Sequence, residues 1–289
     1  MSGLLAFHAH PDDEVTSTGG VLARYAEAGE HVVVVTATDG CEGEVHNYDD
    51  PDEIRTRLVE VRAQEMAESV SILGVSQHHF LGYRDSGMMG SDPNDHPDCF
   101  WQADFTEATA RLINHIRRHR PDVMTIYDPF GGYGHPDHIQ VHRVGMAAYF
   151  GAEDTGRFPL EEGDEVWRPA KLYMSTWPRS RVRVMTMARL EAGLITEEEA
   201  KESEGWGTPD EDITTLVDVR RWIDKKVAAL RAHRTQIPED WFMLQVPEKD
   251  VPNVLGIEAF QRVHSRVDAP FRETDLFEAL RDGRRVTAS

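Results

Sequence analysis

Cysteine is nearly missing from this chain: Cys41 and Cys99 are the only two in 289 residues. A disulfide framework needs more, and a zinc centre of four cysteines is excluded. Long apolar runs are missing too. No stretch of about 18 apolar residues occurs, so nothing reads as a membrane span and no membrane partner is expected. Met1 to Phe7 carries no basic residue, and its apolar stretch stops at His8, short of a secretory-signal core. The expected location is therefore the cytoplasm. Basic residues are scarce: 31 Lys and Arg against 51 Asp and Glu give a formal net charge of −20. That field repels polyanions, which argues against nucleic acid and suits a small neutral or cationic substrate.

What is present alternates between strand and helix signals. Leu4 to His8 is a short apolar run broken by Pro11, and His31 to Thr36 contains four consecutive valines, the mark of a strand buried on both faces. Between them Val21, Leu22 and Tyr25, closed by Gly29, read as a helix, so the three segments make a right-handed βαβ unit. Further helices are predicted over Asp52 to Leu73, Phe105 to Arg120 and Asp218 to His233, and another runs from the glycine-rich loop that begins at Asp128 towards Phe150. Further strands are predicted at His79 to Leu81, Val123 to Tyr127 and Lys171 to Met174. The acidic stretch Glu191 to Asp212 reads as a solvated surface segment. The fold class is α/β: a Rossmann-like open, mostly parallel sheet with helices on both faces. The chain is read as one domain over 1–289, with about 151–289 completing the substrate pocket.

Two polar clusters carry the chemistry. One is His8-Ala9-His10-Pro11-Asp12-Asp13-Glu14; the other is Tyr133-Gly134-His135-Pro136-Asp137-His138. Each lies after a predicted strand and before a predicted helix, at the carboxyl edge where open α/β sheets bind ligands. His and carboxylate donors suit zinc better than magnesium, and iron(II) accepts the same set. Asp12 and Asp13 are adjacent and should diverge, so one can ligate while the other takes a proton from the attacking water. Pro136 suits a first helical turn, which puts His135 and His138 about one turn apart. Asp-Asp ahead of a helix is also an ordinary cap, and His-Pro-Asp-His alone an ordinary turn. Their pairing at matching junctions favours a metal site, without choosing between Asp12 and Asp13 or between His135 and His138. His8 shares strand parity with His10 and lies deeper. His31, His46, His78, His79, His96, His115, His119, His142, His233 and His264 have no partner motif and receive no functional reading.

On these motifs, with Gly43-Glu44-Val45, Arg84 to Met88, Tyr127-Asp128-Pro129 and Lys226 to Gln236, the sequence resembles the LmbE-like (PIG-L) zinc deacetylases. Two branches of that family act in mycothiol metabolism: an N-acetylglucosaminyl-inositol deacetylase and a mycothiol S-conjugate amidase. The resemblance implies that His10, Asp13 and His138 are the zinc ligands. It implies that Asp12 is the general base and that His135 is the general acid or oxyanion donor, its charge tuned by Asp137. Tyr133 would polarise the carbonyl, while Glu44, Arg62, Asp85 and Met88 would touch substrate.

The leading functional expectation is a Zn2+-dependent N-deacetylase that hydrolyses the acetamide of an N-acetylglucosaminyl small molecule, GlcNAc-inositol or a related glycoside. A small residue at Ser17 favours it, since the amidase branch carries a lysine there. Trp241-Phe242 favours the alternative, an amidase acting on mycothiol S-conjugates or an acyl-sugar antibiotic intermediate. A non-catalytic sugar-binding Rossmann-like protein is the reading from another class; no Gly-x-Gly-x-x-Gly fingerprint follows the first strand to support it. Cys41 lies near the site edge but has no base paired with it. The oligomeric state stays open, a homo-oligomer included.

Overall fold

Alternation within the first strand decides how the layers assemble. In the computed structural model, Gly3–His8 (β1) is buried along its whole length. Leu4 and Ala6 face one hydrophobic cluster, whereas Leu5 and Phe7 face another. Such a strand needs cover on both faces, and the helices supply it. Residues 3–203 and 205–281 are described; Met1 and Ser2 of the N-terminal stretch, Glu204 of the acidic stretch and 282–289 lie outside them.

Strands His31–Thr38 (β2), Gln77–Tyr83 (β3), Val123–Ile126 (β4) and Lys171–Thr176 (β5) join β1 in parallel. Two more strands, Thr215–Asp218 (β6) and Ile257–Ser265 (β7), complete the sheet in the order β3-β2-β1-β4-β5-β7-β6. β7 pairs antiparallel with both β5 and β6. One face is covered by Asp13–Glu27 (α1), Leu58–Leu73 (α3, preceded by the short Pro51–Arg55, α2) and Ile223–Ala232 (α8). The other is covered by Phe105–His119 (α4) and Pro136–Gly151 (α5), through Leu112, Ile113, Ile116, Val141 and Val144. Arg179–Glu191 (α6), Glu197–Glu202 (α7) and Val251–Val254 (α9) lie in the C-terminal part. A buried ion pair ties that part to α1: Lys226 Nζ lies 2.6 Å from Glu258, whose carboxylate also accepts the Gly20 and Val21 N–H groups.

The predicted α/β class and mostly parallel sheet hold. Three local expectations change. The helix expected over Asp52 to Leu73 is two helices, interrupted at Thr56 and Arg57, where the Thr56 hydroxyl donates to Glu53 O at 2.7 Å. The helix expected over Asp218 to His233 begins only at Ile223: Asp218 ends β6 and Arg220–Trp222 form a 3-10 turn. β6, β7 and α6 had no counterpart in the sequence reading. The acidic stretch holds the exposed helix α7, started by a capping box in which Thr196 and Glu199 bond each other's backbone N–H.

Candidate active site

β1 and β4 are neighbours, with Leu4 opposite Val123 and Ala6 opposite Thr125. Their carboxyl ends therefore bring both clusters together, at the point where the chain's crossovers run in opposite directions from β1 and β4. Each cluster then starts a helix, α1 or α5.

The hydrogen bonds of two histidines decide which nitrogens stay bare. His10 Nε2 lies 3.2 Å from Asp137 Oδ2, and a carboxylate accepts only, so the ring hydrogen sits on Nε2. On the neutral ring that a metal requires, Nδ1 is left with the lone pair, facing Asp13 Oδ2 at 3.3 Å. His138 Nδ1 lies 3.2 Å from the Gly131 carbonyl, which leaves Nε2 bare. The approach of that carbonyl requires glycine at 131: φ is +65°, and a Cβ there would stand 2.4 Å from the His138 Cβ.

These two nitrogens and Asp13 Oδ2 form a triangle. His10 Nδ1 to Asp13 Oδ2, His138 Nε2 to Asp13 Oδ2 and His138 Nε2 to His10 Nδ1 are each 3.3 Å. Four-coordinate zinc with bonds of about 2.0–2.1 Å separates its ligand atoms by about 3.3–3.4 Å. The donor set thus fits a tetrahedral ion with one position open. A carboxylate or carbonyl holding the far nitrogen of each histidine is the usual support of a metal-binding imidazole. The electrostatics agree: burial disfavours charge on His10, but Asp85, Asp13 and Asp137 outweigh it and raise its pKa well above the ordinary value. The surroundings favour positive charge.

Asp12 does not act as a cap. It precedes α1 with φ +129° and makes no side-chain capping bond. Its backbone N–H donates to Glu14 Oε2 at 2.9 Å, and Arg62 Nη2 donates to its carboxylate at 3.1 Å. Burial pushes the Asp12 carboxyl up to about 6, with Arg62 opposing and Asp13 adding to the rise. His135 accepts the Asp137 N–H at Nδ1 (3.2 Å), so a neutral His135 ring presents an N–H at Nε2. Burial, with His10 and His138 nearby, lowers its pKa to about 3. Tyr133, about half exposed, holds its hydroxyl 3.4 Å from His138 Nε2.

Some residues stand elsewhere than expected. The Asp137 carboxylate engages His10 and the Ser86 hydroxyl and N–H, not the His135 ring. Arg62 is buried, and its two terminal nitrogens donate to Gly40 O, Pro11 O and Asp12. Asp85 is buried, accepts the Gly87 N–H and lies 3.6 Å from His10 Nε2. Glu44 pairs with His46 at the surface, and the Met88 side chain is exposed. None of these last four lines the cavity beside the triangle. That cavity, about 650 Å3, is bounded by Asp12, Asp13, Ser17, Tyr133 and His138. Trp177, Trp206, Gln236, Trp241 and Phe242 also line it.

The sequence reading missed the layer beneath. Glu14, fully buried, accepts from the Ser69 hydroxyl at 2.6 Å and faces His233 Nε2 at 2.7 Å. His233, given no role from sequence, comes from the end of α8, 219 residues away. His8, expected one step deeper than His10, ends β1 and bonds Tyr127 Oη (2.8 Å) and Thr18 Oγ1 (3.0 Å). The Cys41 thiol is pushed up to about 12 by burial and Asp39, which leaves it a poor nucleophile.

Residues 5–149 match the family described as PIG-L, GlcNAc-PI de-N-acetylase. The chain belongs to the PIG-L family. A relative in Thermomonospora curvata is 41% identical over 96% of both chains and is named 1D-myo-inositol 2-acetamido-2-deoxy-alpha-D-glucopyranoside deacetylase. One of the same name in Thermobispora bispora is 44% identical over 89% of this chain and 86% of its own. Among solved structures, the N,N'-diacetylchitobiose deacetylase of Pyrococcus horikoshii superposes with a TM-score of 0.64 at 20% identity, covering 91% of this chain and 84% of the other. The 4-carboxy-2-hydroxymuconate hydratase GalB of Pseudomonas putida gives 0.62 at 23%, covering 93% and 99%. The fold thus carries more than one chemistry, while the PIG-L match and the named relatives make this chain a hydrolase of an amide C–N bond. No helix among the described residues is long and apolar enough to cross a membrane.

Proposed function

We propose that this PIG-L protein is a zinc-dependent N-deacetylase acting on an N-acetylglucosaminyl small molecule of the GlcNAc-inositol kind. The observation that carries the metal reading is the 3.3 Å triangle of His10 Nδ1, Asp13 Oδ2 and His138 Nε2. The substrate follows the named relatives. A zinc ion held there would acidify a water and polarise the amide carbonyl.

The chain's own groups do the rest. Asp12, ionised, accepts a proton as the water oxygen bonds to the carbonyl carbon. Its raised pKa keeps it basic enough to do so near neutral pH. As the carbonyl oxygen gains charge, His135 Nε2–H and the Tyr133 hydroxyl are the donors able to face it. The neutral state of His135 favours oxyanion donor over general acid. The proton on Asp12 then passes to the amine nitrogen as the C–N bond breaks, giving acetate and a free amine. Arg62 holds the Asp12 carboxylate at its strained position.

The direct test offers GlcNAc-inositol to protein of measured metal content and follows acetate release. Turnover that vanishes on chelation and returns with zinc supports the reading. A fully zinc-loaded protein that releases no acetate from GlcNAc-inositol or any other N-acetylglucosamine glycoside would overturn it. A second reading, amide cleavage in a bulkier conjugate or acyl-sugar, is favoured by one observation: the Trp177, Trp206, Trp241 and Phe242 wall offers apolar area that inositol does not need. Parallel turnover of GlcNAc-inositol and an aromatic thiol conjugate separates the two.

A further inference from the structure

Well away from the catalytic cluster, three histidines that received no role from sequence converge. His79 stands on the edge strand β3, and α4 contributes His115 and His119, four residues apart and so one above the other on a helix face. Their ring centroids lie 4.8 Å (His79 to His115), 4.9 Å (His79 to His119) and 5.9 Å (His115 to His119) apart. One ligand atom from each can be chosen so that all three lie within 4.8 Å of one another.

Packing alone leaves a polar debt here. His115 Nδ1 and His119 Nε2 are buried ring nitrogens without a hydrogen-bond partner. Buried polar atoms are normally satisfied, so two orphans on neighbouring rings need an explanation. His79 is already oriented: its Nε2 lies 3.2 Å from Gln77 Oε1, an acceptor, which leaves Nδ1 bare. That is the same far-side support seen for His10. Arg118, whose charge opposes a metal here, is paired with Glu161 at 3.6 Å.

We propose that His79, His115 and His119 form a second metal site, separate from the His10, Asp13 and His138 centre, that takes a divalent ion preferring imidazole (Zn2+, Ni2+ or Cu2+) and clamps β3 to α4. Three nitrogen donors leave room for water, and imidazole suits these ions over Mg2+ or Ca2+. Closing the site needs only small side-chain shifts, since the donors already come from two packed elements.

The test compares full-length wild type with His79→Asn and His119→Asn, each first saturated with one equivalent of zinc and then titrated with Ni2+ by calorimetry. Wild type is expected to take up one more equivalent than either variant. Residual Ni2+ affinity in the variants should be weaker by at least roughly tenfold. Cu2+ bound to wild type should show nitrogen hyperfine structure in its electron paramagnetic resonance spectrum, and that signal should be lost in the variants. Acetate release should be the same in all three proteins, which separates this site from the catalytic one. Equal metal uptake by wild type and both folded variants would overturn the proposal. The two variants lie on different elements, so a folding defect in one leaves the other to decide.

Discussion

Asp12 combines two costs, a backbone at φ +129° and a part-buried carboxyl raised to about 6. A non-glycine residue held in such a conformation costs on the order of 1–3 kcal/mol and persists only where its surroundings enforce it. Replacement by asparagine keeps the shape and removes the proposed base. Asp12→Asn should lower kcat by roughly 10²–10⁴-fold with metal content unchanged, measured by acetate release and metal analysis together. An unchanged kcat would remove Asp12 from the reaction. The pH profile follows from the sign of the shift. A base must be ionised, so kcat/KM in wild type should fall as pH drops through about 6. A bound dication favours the ionised form and moves that limb lower still. The limb should be missing from the residual activity of Asp12→Asn. At this scale the sequence told a partial story. The two clusters that hold His10 and His138 were legible as a pair because each follows a buried strand, and the resemblance, not the spacing, singled out His138 over His135. Which nitrogen each histidine presents was not legible, because that depends on Asp137 and the Gly131 carbonyl, contacts that only the fold creates.

The next scale is the loop-to-helix junction, and beneath α1 lies the Glu14–His233 pair. Glu14 holds the Asp12 N–H with one oxygen and His233 and Ser69 with the other. Removing one partner of a buried pair leaves the other stranded, at a cost of roughly 3–5 kcal/mol. Glu14→Gln should therefore show a lower urea midpoint and, because Asp12 loses its backbone anchor, a lower kcat at unchanged substrate KM. The pH window can be worked out for each partner. Burial resists charge on Glu14, but His233 and Ser69 outweigh it and set its pKa at about 2, so its share of stability is present above 4.5 and lost as pH falls towards about 2. His233 is raised despite burial, chiefly by Glu14, so its share is present below 6.5 and lost as pH rises through its raised value. Wild type should thus lose stability on both sides of the window between about 4.5 and 6.5, and Glu14→Gln should flatten that dependence in urea melts. None of this was visible in sequence, since 219 residues separate the partners. β7 escaped for another reason: its nine residues include the polar Glu258, Gln261, Arg262 and His264, and most are only part-buried, so no clean apolar alternation marks it. The valine run of β2 was legible because burial on both faces leaves no polar position.

For the molecule as a whole, the formal charge of −20 acts on every part of the fold. Self-repulsion of this size destabilises the compact state and is screened by salt. The melting temperature should rise between low ionic strength and about 1 M monovalent salt, where the Debye length shrinks to about 3 Å. A flat or falling curve in differential scanning fluorimetry would show that the acidic excess is already neutralised locally. The same sheet also sorts the cavity by origin. Asp12, Asp13, Tyr133 and His138 come from the first half of the chain, whereas Trp177, Trp206, Gln236, Trp241 and Phe242 come from the second. The family match ends at residue 149, just before that division. On the proposed function, reactivity and selectivity are written in different stretches of sequence and can drift independently. Exchanging the second half between two such proteins should transplant the preference for what lies beyond the acetamide while leaving the bond that breaks the same.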